Sequence, residues 1–158
     1  MSVVDVDRLL SLALFGGLPR DALVSLAARA TRSTFAAGEA VYREGDRAVD
    51  VFVVEEGAFD VVRTTDDDEH VLATLPKGEF FGEMSFVDMQ TRAATVRASE
   101  ASVVLRWSYQ AIHELYVAEP KAFTLLVMNM ARELSRRLRR ADARIIALEE
   151  RLSSTDKG

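Results

Sequence analysis

"FFGEMSFVDMQTRAATVRA", residues 80–98, is the stretch from which the rest of this chain can be interpreted. It begins with two aromatic residues, a glycine and the carboxylate of Glu83, and Arg92 follows nine residues after that carboxylate. Helical spacing extends only from about Gly82 to Asp88, because the segment QTRAATV that follows has the composition of a strand. A helix of one or two turns is poorly stabilised by its own hydrogen bonds. We therefore expect this excursion between strands to bind a ligand.

The residue types in this stretch fit a sugar phosphate. The first turn of a helix leaves N–H groups unpaired and carries partial positive charge, which suits a phosphate oxygen. Gly82 lets a ligand approach the backbone, and Arg92 can bind two phosphate oxygens at once. Glu83 would repel a phosphate, so we expect it to accept a hydrogen bond from a neutral donor such as a ribose hydroxyl. The alternative is a structural ion pair between Glu83 and Arg92.

The surrounding sequence predicts a mainly β protein with flanking helices. From about residue 33 to residue 107 it consists of short Val-, Phe- and Thr-rich runs, separated by glycines and by the acidic turn DDDE at 66–69. Many short strands with regularly spaced turns predict an antiparallel β-barrel or jelly roll, that is, a double-stranded β-helix. Three phenylalanines of the opening stretch are predicted to pack in the core: Phe80, Phe81 and Phe86.

Apolar residues at helical spacing predict four helices, at residues 5–14, 19–30, 108–119 and about 121–152. A chain of 158 residues fits a single domain. Within it we expect residues 1–120 to form the barrel, with the N-terminal helices and the first C-terminal helix. Residues 121–158 are then the long C-terminal lid and dimerisation helix with its tail.

The long helix carries the seam of a coiled coil. Its apolar residues step alternately by four and three positions: Leu134, Leu138, Ala141, Ile145, Leu148 and Leu152. This spacing predicts a homodimer formed through residues 121–152. The alternative is that the seam packs on the barrel of its own chain.

Composition excludes several classes of protein. The chain has no cysteine, so it contains no disulfide framework or thiolate nucleophile, and a reducing compartment suits it. The N-terminus MSVVDVDRLL lacks the features of a signal peptide, and no stretch approaches 18 apolar residues. We therefore expect a cytoplasmic protein without membrane contact. The net charge of -5 argues against direct binding of DNA.

The stretch resembles the phosphate-binding cassette of the cyclic nucleotide-binding domains found in catabolite activator proteins and protein kinase A regulatory subunits. The resemblance is carried by Gly82-Glu83, a gap of eight residues, and the run RAATV that starts at Arg92. It extends to FGGLP, FAAGEAVYREGD, VFVVEEG and LPKGEFFGE, whose glycines follow the order of the family's barrel, and covers about residues 8–145. Thr91, Met84 and Phe86 depart from the family's pattern without removing a polar anchor.

The resemblance implies a role for each cassette residue. Glu83 is expected to bind the ribose 2′-OH and Arg92 the cyclic phosphate, while Gly82 and Ala93 offer backbone groups. The remaining cassette residues expected at the ligand are Met84, Ser85 and Ala94. Ala93 lacks the hydroxyl that contacts guanine in the family's cyclic GMP binders, so cyclic AMP is the expected ligand and cyclic GMP the second choice.

In the family the last helix closes over the purine as a lid. Aligning MARELSRRLRR with that helix brings Arg137 and Leu138 near the base, with Arg136 and Arg140 as neighbours. An arginine can stack on adenine, and a leucine can pack on its edge. The family's transcription factors carry a helix-turn-helix after this helix, and the present sequence shows none.

The sequence thus predicts a stand-alone cyclic nucleotide sensor that signals through its C-terminal helix to an unidentified effector. No catalysis is expected, because the cassette contains no nucleophile–base pair. Two alternatives remain: a ligand-free dimerising adaptor of the same fold, and a cupin-like metalloenzyme. The second needs clustered histidines and carboxylates, whereas His70 and His113 are far apart, so no metal is expected.

Overall fold

The chain opens with two short helices joined by a turn. The structure is a computed structural model that describes residues 4–155. Helix α1 spans Val6–Leu10, a 3-10 turn spans Ala13–Phe15, and α2 spans Arg20–Arg29. The single helix predicted at 5–14 is therefore interrupted. Ser11 donates its hydroxyl hydrogen to the carbonyl of Arg8 at 2.7 Å, a local bond that competes with continuation of the helix.

Eight strands follow: β1 Thr31–Phe35, β2 Ala40–Tyr42, β3 Asp50–Glu56, β4 Ala58–Thr65, β5 Asp68–Pro76, β6 Phe80–Phe81, β7 Thr95–Ala98 and β8 Ser102–Ser108. They form two four-stranded antiparallel sheets, in the orders β1-β8-β3-β6 and β2-β7-β4-β5. This arrangement confirms the predicted mainly β class, with a jelly roll and flanking helices.

Strand β3 separates two cores because it is buried on both faces. Phe52 and Val54 point between the sheets, where they pack in one cluster with Phe81. Val51 and Val53 point to the other side, where the helices cover the sheet. Phe80 belongs to this second cluster, so the two neighbouring phenylalanines of β6 fill opposite cores. Phe86 is partly buried against the helical side, where its ring packs edge-on against Tyr109 at 5.1 Å.

Three helices complete the chain: α3 Glu83–Asp88, α4 Tyr109–Ala118 and α5 Pro120–Thr155. Ser108 begins α4 as its N-cap, with its side-chain oxygen accepting the N–H of Ala111 at 3.1 Å. The first turns of α5 pack on the body through Ala122, Leu126 and Met130. Across residues 4–155, no helix combines the length and apolar composition required to cross a bilayer.

The second half of α5 leaves its apolar seam uncovered. Leu138, Ile145, Leu148 and Leu152 are each more than half exposed. In the structure, this part of the seam therefore does not pack on the barrel of its own chain, which was the alternative to dimerisation. Arg144 does contact the barrel, since it donates a hydrogen bond to the carbonyl of Leu72 on the edge strand β5.

Candidate ligand-binding site

Gly82 makes the sharp turn from β6 into α3. Its φ of 84° lies in the left-handed region, which side chains other than glycine rarely adopt. A Cβ at this position would lie 2.9 Å from Nη1 of Arg92 and 3.0 Å from the carbonyl oxygen of Asp50. The sequence predicted only that Gly82 would contact a ligand. In the structure the glycine also has a packing role, because the absence of a Cβ lets the guanidinium of Arg92 reach the backbone.

Arg92 lies beneath this turn, with only 4% of its surface exposed. Its Nη1 donates to the carbonyl of Gly82 at 3.0 Å, and its Nη2 donates to the carbonyl of Asp50 at 2.8 Å. Its Nε is buried and has no hydrogen-bond partner in the described structure. A buried donor without a partner is costly, and native structures contain few of them. This N–H is therefore a candidate for binding an anionic ligand.

Glu83 is the other buried charged residue of the turn, with 2% of its surface exposed. Its Oε1 accepts a hydrogen bond from Nη1 of Arg137 at 3.0 Å. Burial raises the pKa of the Glu83 carboxyl, and the nearby charges of Arg137 and Arg92 partly offset that effect. Among the described contacts, Glu83 forms an ion pair with Arg137, and the alternative of a direct pair with Arg92 is not observed.

These side chains line a cavity of about 190 Å³ between the barrel and α5. Every predicted ligand residue except Leu138 is among its lining residues: Gly82, Glu83, Met84, Ser85, Arg92, Ala93, Ala94 and Arg137. Leu138 does not line the cavity and is 63% exposed. Successive residues of a helix point about 100° apart, so the helix that directs Arg137 at the barrel directs its neighbour away from it.

The rest of the cavity wall comes from strand residues that sequence reasoning did not assign to the site: Tyr42, Val61, Ala73, Leu75, Phe81 and Val96. The alternation of side chains along a strand could have linked two of them, because Ala73 and Leu75 are two positions apart on β5 and therefore face the same side of the sheet. These residues make most of the wall apolar, while the charged groups converge on one part of it. Such a combination of an apolar surface with a few placed polar groups is typical of a small-molecule site.

Arg137 attaches α5 to the edge of this cavity. Besides Glu83, its Nη2 donates to the carboxylate of Glu79 at 3.0 Å and to the carbonyl of Phe80 at 2.5 Å. Its guanidinium also lies 4.8 Å from the centroid of the Phe80 ring. One side chain of the last helix therefore contacts both β6 and α3, the two elements that precede and follow Gly82.

The neighbouring arginines of α5 are directed elsewhere. Arg136 and Arg140 both donate to the carboxylate of Glu133, at 2.8 Å and 2.7 Å. They do not line the cavity in this structure. Among residues 4–155 there is also no group of three or more His, Asp or Glu side chains arranged to hold a metal ion.

Residues 32–119, more than half of the chain, match the family model of the cyclic nucleotide-binding domain. The cyclic AMP receptor protein of Thermus thermophilus is 32% identical over 130 residues, 82% of this chain and 58% of that protein. The cAMP-dependent protein kinase regulatory subunit of Mycosarcoma maydis is 33% identical over 102 residues, 65% of this chain and 18% of that protein. The present chain thus spans only part of the length of these relatives.

A solved structure shows the same fold. A cyclic nucleotide-binding domain from Methylobacillus flagellatus KT superposes with a TM-score of 0.82, covering 89% of this chain and 82% of that one, at 20% sequence identity. At that identity the likeness concerns the fold alone. The family match, by contrast, covers β1 to α4 and includes Gly82, Arg92 and every residue that lines the cavity except Arg137 of α5. This chain belongs to the cyclic nucleotide-binding domain family.

Proposed function

We propose that this protein is a regulatory sensor of 3′,5′-cyclic AMP, which binds in the cavity between the barrel and α5. One observation carries the proposal: the buried Arg92 leaves its Nε–H without a partner at the wall of an apolar cavity that also contains a buried carboxylate. A cyclic nucleotide has the complementary groups. Its phosphate accepts hydrogen bonds, its ribose 2′-OH donates one, and its purine is a flat, largely apolar ring.

Arg92 binds the cyclic phosphate in this proposal. Two of its five N–H groups are already used by backbone carbonyls, which hold the guanidinium in place and leave the other N–H groups for phosphate oxygens. Glu83 accepts the ribose hydroxyl on the oxygen that Arg137 does not occupy. Met84, Ser85, Ala93 and Ala94 surround the sugar phosphate from the same turn. We propose a regulator and not an enzyme.

The preference for cyclic AMP rests on the residue after Arg92. Ala93 has no hydroxyl with which to contact the exocyclic amine of guanine. The cAMP-dependent kinase subunit and the cyclic AMP receptor described above point to the same nucleotide. Cyclic GMP remains the second choice as ligand.

In this proposal, the protein signals that ligand is bound through a change in the position of α5. A ligand at Glu83 and Arg92 changes the surroundings of Arg137, which connects α5 to the cassette. Closure of α5 over the purine would bring Arg137, and after a small rotation of the helix also Leu138, against the base. Ligand and closed helix then stabilise each other, and the population can shift only as far as the ligand's affinities for the two states differ.

We further propose that α5 pairs with a second copy of this chain as a parallel coiled coil. With Leu138 and Ile145 at a positions, Arg144 is at a g position and Glu149 at the next e position. In a parallel pair, g residues face the e residues of the partner helix, so arginine meets glutamate. An antiparallel pair would place arginine against arginine. A β-branched residue at a and leucine at d, as at Ile145 and Leu148, also favour a parallel dimer.

The function is tested by calorimetric titration with cyclic AMP, cyclic GMP and cyclic dinucleotides. Micromolar or tighter binding of cyclic AMP, stronger than that of cyclic GMP, is the expected result. Absence of heat at millimolar concentrations of every nucleotide would instead favour a ligand-free dimerising adaptor of the same fold. Stoichiometric metal in the purified protein would favour a cupin-like metalloenzyme.

A further inference from the structure

Tyr42 lies directly against the arginine that the proposed function assigns to the phosphate. It is the last residue of β2 and pairs with Val96 of β7. The carbon at the centre of the Arg92 guanidinium lies 4.1 Å from the centroid of the Tyr42 ring, within the range of a cation–π interaction. The ring also lines the ligand cavity. No residue of the family-like cassette at 80–98 provides this contact, which comes from a strand about fifty residues earlier.

The ring itself is held in place by its neighbours. Its centroid is 5.8 Å from that of Phe52 and 6.0 Å from that of Phe81. Those two phenylalanines are buried and stack on each other at 5.0 Å with an angle of 9° between their planes. Tyr42 is therefore the partly buried end of an aromatic cluster that belongs to the core, and close packing leaves it little freedom to move.

The guanidinium thus has two different restraints. Hydrogen bonds from its two Nη atoms to the carbonyls of Gly82 and Asp50 restrict movement within the plane of the guanidinium. Those bonds do not by themselves prevent the plane from tilting. An aromatic ring against one face opposes the tilt and excludes water from that face, which strengthens the electrostatic interaction of the cation with an anion.

We propose that Tyr42 is a positioning residue for phosphate binding, whose ring holds Arg92 with its Nε–H directed at the ligand. This inference rests on the proposed function. The contribution comes from the aromatic face, because the phenol oxygen has no hydrogen-bond partner in the described structure. Tyr42 acts through Arg92 and therefore affects the phosphate, while the sugar and base are bound by other residues.

The proposal is tested with Tyr42→Leu and Tyr42→Phe in the full chain, titrated with cyclic AMP and with adenosine, which lacks the phosphate. Tyr42→Leu is expected to weaken cyclic AMP binding about tenfold and to leave adenosine binding unchanged. Tyr42→Phe keeps the aromatic face and should bind both ligands as the parent does. Equal losses for both ligands in Tyr42→Leu, or an unchanged affinity for cyclic AMP, would overturn the proposal. So would a loss in Tyr42→Phe as large as that in Tyr42→Leu.

A second measurement needs no ligand. The proton on Nε of Arg92 lies near the Tyr42 ring, so its resonance in the ¹⁵N-labelled protein should be shifted by the ring current. The shift should persist in Tyr42→Phe and be reduced in Tyr42→Leu, where only the more distant ring of Phe52 remains, with its centroid 5.7 Å from the same carbon of Arg92. If the parent bound no cyclic nucleotide, the proposed function would fail, and this resonance would still decide whether the ring positions the arginine. A resonance unchanged in Tyr42→Leu would refute the contact.

Discussion

Glu83 and Arg137 are 54 residues apart in sequence, and the guanidinium of Arg137 donates a hydrogen bond to the carboxylate of Glu83 at 3.0 Å. This bond joins the turn at the cavity to the last helix. Glu83 is almost completely buried and Arg137 is 24% exposed, so the pair lies at the boundary between the interior and solvent. Under the proposed function, a ligand bound at Glu83 would share this carboxylate with Arg137 of α5, and binding would then be connected to the position of that helix.

Replacing Arg92 by alanine should cost about 2–4 kcal/mol of cyclic AMP binding, or tens to hundreds of fold in affinity. The variant would lose the charge-assisted bonds that we propose Arg92 makes to the phosphate. Arg97→Ala is the matched control, because Arg97 is on the neighbouring strand β7 and pairs with Glu69 at the surface. Calorimetry should give that control the parent's affinity. An affinity of Arg92→Ala within about threefold of the parent would mean that the phosphate binds elsewhere.

Replacing Glu83 by glutamine should weaken cyclic AMP binding by about 1–3 kcal/mol, because the ribose hydroxyl loses a charged acceptor. The control is Glu79→Gln. Both carboxylates accept a hydrogen bond from Arg137, but only Glu83 lines the cavity. If both variants lost the same affinity, the effect would come from Arg137 and not from a contact with the ligand.

Stability should depend on pH through Glu83. Burial raises the pKa of this carboxyl, so the folded state binds the proton more tightly than the unfolded state does. Its contribution to the free energy of unfolding is therefore fully present below the ordinary pKa of a glutamate and is lost as pH rises through the raised value.

Urea denaturation at pH 7 and pH 5 should show the parent gaining stability on acidification relative to Glu83→Gln. The comparison with this variant removes opposing contributions such as that of Glu133, whose pKa is lowered. A difference that did not change with pH would contradict the prediction.

Replacing Arg137 by alanine should release α5 from the edge of the cavity. The helix loses bonds to Glu79, to Phe80 and to Glu83, and the closed state is then less stable. We expect faster dissociation of a fluorescent cyclic AMP analogue in stopped-flow measurements, by about tenfold. Arg139→Ala is the control, because Arg139 is exposed on the same helix. Equal dissociation rates for parent and Arg137→Ala would argue against a lid role for α5.

Dimerisation through α5 should be abolished by charge in the seam. Ile145→Glu places a carboxylate at an a position, and sedimentation should show a monomer that retains the parent's circular dichroism. Ile146→Glu is the matched control, since Ile146 is equally exposed on the same helix but lies outside the seam. The orientation is tested separately: Arg144→Glu should weaken a parallel dimer, and adding Glu149→Arg should restore it. A dimer unaffected by Ile145→Glu would show that the interface lies elsewhere.

Local pattern was sufficient for most of the secondary structure. The period of the apolar residues predicted the helix at 19–30, which is observed at Arg20–Arg29, and the long helix from about 121, which begins at Pro120. The helix at 5–14 was wrong in its second half, where Ser11 ends α1 and a 3-10 turn follows. Propensity alone does not reveal a side chain that competes for the carbonyls of the helix.

The sequence by itself determined that a glycine, a carboxylate and an arginine occur together around a short helix between strands, and these residue types predicted the ligand class and the family. Tertiary structure decided the partner of each charged group. Glu83 pairs with Arg137 and not with Arg92, while Arg92 bonds the carbonyls of Gly82 and Asp50. Periodicity reports which face a residue occupies within its own element. It contains no information on which distant element packs against that face, because that depends on how the sheets and α5 are brought together in space.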